Sequence, residues 1–263
     1  MLLEAKNVSK VFRARRASGT VHAVKDATLR ARPGEFVAIV GESGSGKSTL
    51  ARMLLDLIPL SGGSVELDGV SITDLKREGR TRYRSIVQAV LQDPAGSLNP
   101  RKRVERTIGE VIRLHGIARA PRDVRAKVLE VLELVGMSPA EPFLDRYPHE
   151  LSGGQRQRVL IARAIALNPQ IIVADEAVSA LDASVKAGVL RVMADLKERL
   201  GVGYVFITHD LPLVKKVADY VYVMRNGEIV EEGTKEQIFS APAHPYTQTL
   251  LASAPVLVKP PAA

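Results

Sequence analysis

The 263-residue chain is 46% apolar and 25% charged, the balance of a folded globular protein, which excludes a disordered tail, a fibrous repeat and a disulfide scaffold. It has no cysteine, so thiolate zinc sites, cysteine-ligated clusters and cysteine nucleophiles are excluded as well. A net charge of +8 suits anionic partners without choosing among nucleotide, nucleic acid and membrane surface.

No apolar run approaches the ~18 residues of a membrane-spanning helix. The opening residues lack a basic start and a long apolar segment, so a cytoplasmic location is expected. In chain order, residues 2–12 alternate as an N-terminal antiparallel strand. Residues 36–40 form a short β-rich run that reads as a buried strand, followed by a Gly/Ser loop and a helical pattern over 47–58. Residues 64–67 and 86–91 read as further strands. From 104 to 135 the pattern turns helical, with Val124, Val128, Leu129 and Leu132 at helical spacing and Gly116 and Pro121 as punctuation. Strand 171–174, helix 183–200, strand 204–208 and helix 213–218 follow. Asn226-Gly227, between the runs 220–224 and 228–230, is a hairpin signal. The Pro/Ala-rich end, 256–263, is expected to be disordered. The alternation predicts an α/β domain on a mainly parallel sheet over 1–255, with a helical lobe inserted at about 95–155.

Gly41-Glu-Ser43-Gly44-Ser45-Gly46-Lys47-Ser48-Thr49 fits the phosphate-loop pattern, with a strand before it and a helix after it. Backbone N–H groups must curl around phosphate oxygens, which glycines permit, and the helix N-terminus adds partial positive charge. Lys47 would reach the β- and γ-phosphates, and the Ser48 hydroxyl would ligate Mg²⁺. The apolar run 171–174 ends in Asp175-Glu176. A buried strand that delivers two acids at its C-terminal edge places them where open α/β sheets bind ligands. Asp175 would hold Mg²⁺ through water and Glu176 would polarise an attacking water. Alone, such a pair is more often a helix cap or a surface pair; beside the phosphate loop it reads as functional.

Ser152-Gly153-Gly154-Gln155 opens a helix and resembles the signature of ATP-binding cassette (ABC) proteins. Physically it is a second anion site, with a hydroxyl, bare N–H groups and a helix dipole. The other family elements stand in family order. Gln92, within Leu91-Gln-Asp-Pro94, resembles the Q-loop glutamine, a further metal and water ligand. Asp182, in Ser179-Ala-Leu-Asp, resembles the D-loop, and His209 the switch histidine. Phe12 is similar to the aromatic that stacks on adenine, with Ala23 beside it, although an aromatic there also serves as core. The resemblance implies an ATPase with a RecA-like P-loop core and an N-terminal antiparallel β subdomain. It implies ATP and Mg²⁺ as ligands. It further implies a dimer whose sites join one phosphate loop to the other subunit's signature, two transmembrane permease subunits and an extracytoplasmic solute-binding protein. The chain would then sit peripherally on the cytoplasmic face of the membrane.

Residues 92–101 and His244-Pro-Tyr-Thr-Gln-Thr249 resemble the oligopeptide, dipeptide and nickel importer subgroup, whose ATPases usually pair with a paralogue. Residue 177 is Ala where most relatives have Pro, as in nickel-type members, and the chain ends at Ala263 without a cysteine-bearing extension. Two other classes compete: a soluble ABC ATPase acting on ribosomes or nucleic acid, and a P-loop kinase. The first usually carries two cassettes or a long coiled coil, and the second has no use for the signature, so no nucleic-acid partner is expected. His22, His115, His149 and His244 lack metal-ligand spacing and read as surface, capping or core groups. The basic clusters at Arg13, Arg15 and Arg16, at Arg80, Arg82 and Arg84, and at 101–103 read as solvated charge or as contacts to anionic headgroups.

Overall fold

The computed structural model describes residues 1–13, 19–91 and 94–253. Arg15, Arg16, Gln92 and the tail 256–263 lie outside the described residues. The chain runs through β1 (Leu3–Arg13), β2 (Thr20–Ala31), β3 (Phe36–Val40), α1 (Lys47–Leu54), β4 (Gly62–Leu67), β5 (Val70–Ser71), α2 (Arg77–Ile86) and β6 (Val87–Val90). The helices α3 (Pro94–Ser97), α4 (Val104–Leu114), α5 (Pro121–Leu134), α6 (Glu141–Leu144) and α7 (Gly153–Ile165) follow without an intervening strand. Then come β7 (Ile171–Asp175), α8 (Ala183–Leu200), β8 (Gly203–Ile207), α9 (Leu211–Val217), β9 (Tyr220–Arg225), β10 (Glu228–Thr234), α10 (Lys235–Ser240) and α11 (Pro245–Ala252).

Two sheets result. One is antiparallel in the order β2-β1-β4-β5, and the other runs β10-β9-β3-β8-β7-β6. In the second sheet only β10 is antiparallel to its neighbour. Every residue of β3, β7 and β8 is buried, as expected for parallel strands covered on both faces. Alternation along β3 sends Phe36 to one face, against Tyr204, Phe206 and the apolar stripes of α4, α5, α7 and α8. Val37 and Ile39 face the other way, onto Leu50 and Leu54 of α1 and onto Val24 and Leu29 of β2. Ala38 and Val40 meet α9 and Tyr246 of α11. In the parallel register Ile39 pairs with Ile207, and Ile207 with Asp175, so these strands end at one edge.

Several expectations shift. The helix read over 47–58 stops at Leu54, and Asp56 takes a left-handed φ of 53°. Pro59 disfavours a helical residue before it, and the turn lets Lys10 Nζ donate to the Pro59 carbonyl at 2.6 Å. Helix α9 starts at Leu211 rather than 213, because Pro212 fits a first turn that the Asp210 side chain caps. The polar α2 and the short α10 and α11 carry no apolar periodicity long enough to be read from sequence. The basic clusters are partly paired: Arg80 and Arg84 with Asp56, at 3.6 and 3.0 Å, Arg103 with Asp145 at 2.7 Å, and Lys102 with Glu110. Among the described residues no helix is long and apolar enough to cross a membrane.

Candidate functional site

At the shared strand edge, β3 leads into the glycine loop and the loop into α1. Gly46 has φ 107°, and a Cβ there would sit 2.3 Å from the Ala23 carbonyl, so only glycine fits. Lys47 is 5% exposed, and its ammonium is held by the loop itself. Nζ donates to the carbonyls of Gly41 at 2.8 Å and Glu42 at 2.6 Å, and to Ser45 Oγ at 3.2 Å. Burial pushes the Lys47 pKa below its ordinary value, although the carboxylates of Glu176, Asp175 and Glu42 pull it upward.

The Ser48 hydroxyl donates to Asp175 Oδ1 at 2.9 Å, joining the start of α1 to the end of β7. Asp175 is buried, and burial raises its pKa against the Ser48 hydrogen bond, with the Glu176 charge adding to the rise. The next residue, Glu176, has φ 46°, a left-handed backbone that costs a non-glycine residue energy. Its N–H donates to the Ile207 carbonyl at 2.9 Å, and its own carbonyl accepts from the Ser179 hydroxyl at 3.0 Å. The side chain thereby faces His209, whose Nδ1 lies 3.3 Å from Glu176 Oε1.

A cleft of about 890 Å³ gathers Ala23, Ser43, Gly44, Gly46, Lys47, Ser48, Thr49, Glu176 and His209. Gly41, Ser45 and Asp175 stand behind it, as partners of Lys47 and Ser48. Phe12 is not among the lining residues. It is 41% exposed, pairs across the ladder with Val21, which does line the cleft, and has Lys10 Nζ 5.2 Å from its ring centroid. Sequence reading missed Val21, His22, Lys25, Asn226 and Gly227, which complete the wall. Asn226-Gly227 was legible only as a turn. Its place in the wall comes from the pairing of β9 with β3, and Gly227 N–H donates to the Ser45 carbonyl at 2.9 Å.

Ser152, Gly154 and Gln155 line a different cleft, of about 360 Å³. Ser152 caps α7: its Oγ accepts from Gln155 N–H at 3.2 Å, and its own N–H donates to Gln155 Oε1 at 2.9 Å. A Cβ on Gly154 would meet Val185 Cγ1 at 2.5 Å, and one on Gly153 would meet Leu181 Cδ2 at 3.1 Å. Gly154 thus lets α7 pack close to α8, and Gly153 lets it pack close to the turn before α8, besides baring N–H groups. Asp182 is the N-cap residue of α8, without a side-chain cap bond. Among the described residues no three His, Cys, Asp or Glu side chains converge on a metal position. His244 caps α11, and the His149 ring stacks on Tyr147.

Residues 24–179 match the family model described as ABC transporter, and residues 230–262 match that of the oligopeptide/dipeptide transporter C-terminal region. The chain is 43% identical over 254 residues to the oligopeptide transport ATP-binding protein OppF of Streptococcus mutans, covering 97% of this chain and 82% of that one. It is 45% identical over 241 residues to the glutathione import ATP-binding protein GsiA of Escherichia coli, covering 92% of this chain and 38% of that longer protein. Among solved structures, the dimeric post-hydrolysis state of the ATP-binding cassette MJ0796 with ADP and Pi matches with a TM-score of 0.76 at 30% identity. That match covers 89% of this chain and 98% of the other. The chain belongs to the ABC transporter family, as an ATP-binding subunit of its oligopeptide/dipeptide group.

Proposed function

We propose that the chain binds and hydrolyses ATP in the cleft at the strand edge and that this drives the import of peptides. The observation that carries the reading is the convergence of three elements on one cleft: the Lys47 ammonium, the Ser48–Asp175 pair and the Glu176–His209 pair. Lys47 keeps its bond to the Gly41 carbonyl and exchanges the Glu42 carbonyl and the Ser45 hydroxyl for β- and γ-phosphate oxygens, which compensate a buried cation more fully. Ser48 Oγ and Asp175 Oδ1 are adjacent hard oxygen donors of the kind Mg²⁺ takes, and the ion, bound with ATP, would neutralise phosphate charge. Glu176 accepts a proton from the attacking water, and His209 orients that carboxylate. Gln92 is assigned to the water and the metal, and Phe12 with Ala23 to the adenine.

Ser152, Gly153, Gly154 and Gln155 form a second half-site that acts on nucleotide held by a second ATPase subunit, with Asp182 beside it. Their separate cleft supports this reading, as does the dimeric relative. A paralogous mate, two permease subunits and an extracytoplasmic binding protein complete the assembly, on the cytoplasmic face of the membrane. Residues 1–255 act as one nucleotide-binding domain in which the lobe at about 95–155 meets the permease. Peptides are favoured over nickel as cargo, because the similar proteins are named for oligopeptide and glutathione transport. The test is the assembled complex in proteoliposomes, with phosphate release and labelled-peptide uptake measured together. Phosphate release that no peptide stimulates, with no uptake, would sink the proposal.

A further inference from the structure

We propose that Tyr246 is a positioning residue for the phosphate loop: its hydroxyl fixes the Gly41–Glu42 peptide so that the Gly41 carbonyl stays aimed at the Lys47 ammonium. The inference rests on the reading of Lys47 as a phosphate ligand. Glu42 N–H donates to Tyr246 Oη at 3.1 Å, a contact between residues 204 apart in sequence. In a trans peptide the N–H and the preceding C=O lie in one plane and point in opposite directions. Holding the Glu42 N–H toward α11 therefore turns the Gly41 C=O toward the cleft, where it accepts from Lys47 Nζ at 2.8 Å. One rigid plane links the tyrosine hydroxyl to the lysine.

The tyrosine is itself fixed. It is 5% exposed, and its ring packs among Ala38, Val40 and Val223, so it abuts the strand that feeds the loop. The Arg225 guanidinium lies 4.7 Å from the ring centroid. Entry into α11 is pinned by Glu231, whose carboxylate accepts from Ala243 N–H at 2.7 Å and His244 N–H at 3.2 Å. His244 Nδ1 accepts from Tyr246 N–H at 3.1 Å. Tyr246, within the residues 230–262 that match the oligopeptide/dipeptide C-terminal region, thus reaches the nucleotide machinery through its hydroxyl. An ammonium held in place beforehand needs less reorganisation when phosphate arrives.

Tyr246→Phe removes the hydroxyl and keeps the ring. Binding of ATP and AMP by competition against a fluorescent nucleotide, with the melting temperature of the nucleotide-free protein, tests the idea. Loss of one hydrogen bond of ordinary strength should weaken ATP about 2- to 10-fold. AMP, which lacks the phosphates Lys47 reaches, should bind as before, and the nucleotide-free protein, which also loses the bond, should melt about 1–6 °C lower. Unchanged ATP affinity, or equal losses for ATP and AMP, would overturn the proposal. Lys47→Ala, measured alongside, separates the two layers. If it loses ATP while Tyr246→Phe does not, the tyrosine has no positioning role and the phosphate-loop reading stands. If it binds ATP like the wild type, that reading and the proposal fall together.

Discussion

His209 Nδ1 lies 3.3 Å from Glu176 Oε1, joining the second residue after β8 to the first residue after β7 across two strands in register. A carboxylate accepts hydrogen bonds and does not donate them, so a hydrogen bond to the carboxylate form of Glu176 needs the imidazole form that carries a proton on Nδ1. The pair is set by backbone as much as by side chain, since the left-handed turn at Glu176 aims its carboxylate.

Glu176→Gln keeps the size of the side chain and removes the base. General-base assistance contributes ~10²–10⁴-fold, so single-turnover hydrolysis on the assembled complex should fall by about that factor. ATP affinity should be kept or improved, and the ATP-loaded dimer should accumulate in size-exclusion chromatography. Turnover within a few-fold of wild type would remove Glu176 as the base. His209→Ala should be similarly slow.

Lys47→Ala leaves the carbonyls of Gly41 and Glu42 without their cation and the phosphates without theirs. A lost charge-assisted contact of about 1.5–3 kcal/mol corresponds to an ATP affinity roughly 10- to 150-fold weaker. Fluorescence titration measures it, and an unchanged constant would take the loop out of nucleotide binding.

Ser152→Arg tests the half-site. The isolated subunit should bind ATP within a few-fold of wild type, because its own cleft does not include Ser152. The assembled complex should lose hydrolysis. Loss of the α7 cap should lower stability by about 1 kcal/mol, visible as a small drop in melting temperature. If the isolated mutant fails to bind ATP, the signature acts within its own chain and the dimer assignment is wrong.

Asp175→Asn separates function from stability. Burial raises the Asp175 pKa above its ordinary 3.8, so between the two values the folded state holds more protons than the unfolded. Stability falls as pH rises through that window, and the deficit persists at neutral pH. In metal-free, nucleotide-free protein at pH 7, the amide should raise the melting temperature, by about 2–4 °C for each kcal/mol relieved. The gain should shrink as pH falls toward 3.8, while Mg²⁺-dependent ATP affinity should be weaker than wild type. A lower melting temperature across the whole pH range would contradict the burial argument.

Local chemistry made much of this protein legible from its sequence. Glycine spacing with Lys47, buried β-rich runs and the Asn226-Gly227 turn each reflect constraints carried by a few neighbouring residues. The strand ending in Asp175-Glu176 and the cap at Ser152 are equally local. What the tertiary structure decided is how distant groups share one edge: Ser48 with Asp175, 127 residues apart, Glu176 with His209, and Glu42 with Tyr246. Those contacts depend on parallel register and on the path of α11, which no short window of sequence encodes. Ala23, His22 and Gly227 meet the cleft because β2 crosses the loop and β9 pairs with β3, a long-range pairing. Helix α2 escaped notice because its face is almost wholly polar, with Tyr83 its one buried residue, and periodicity reports only helices that bury a stripe.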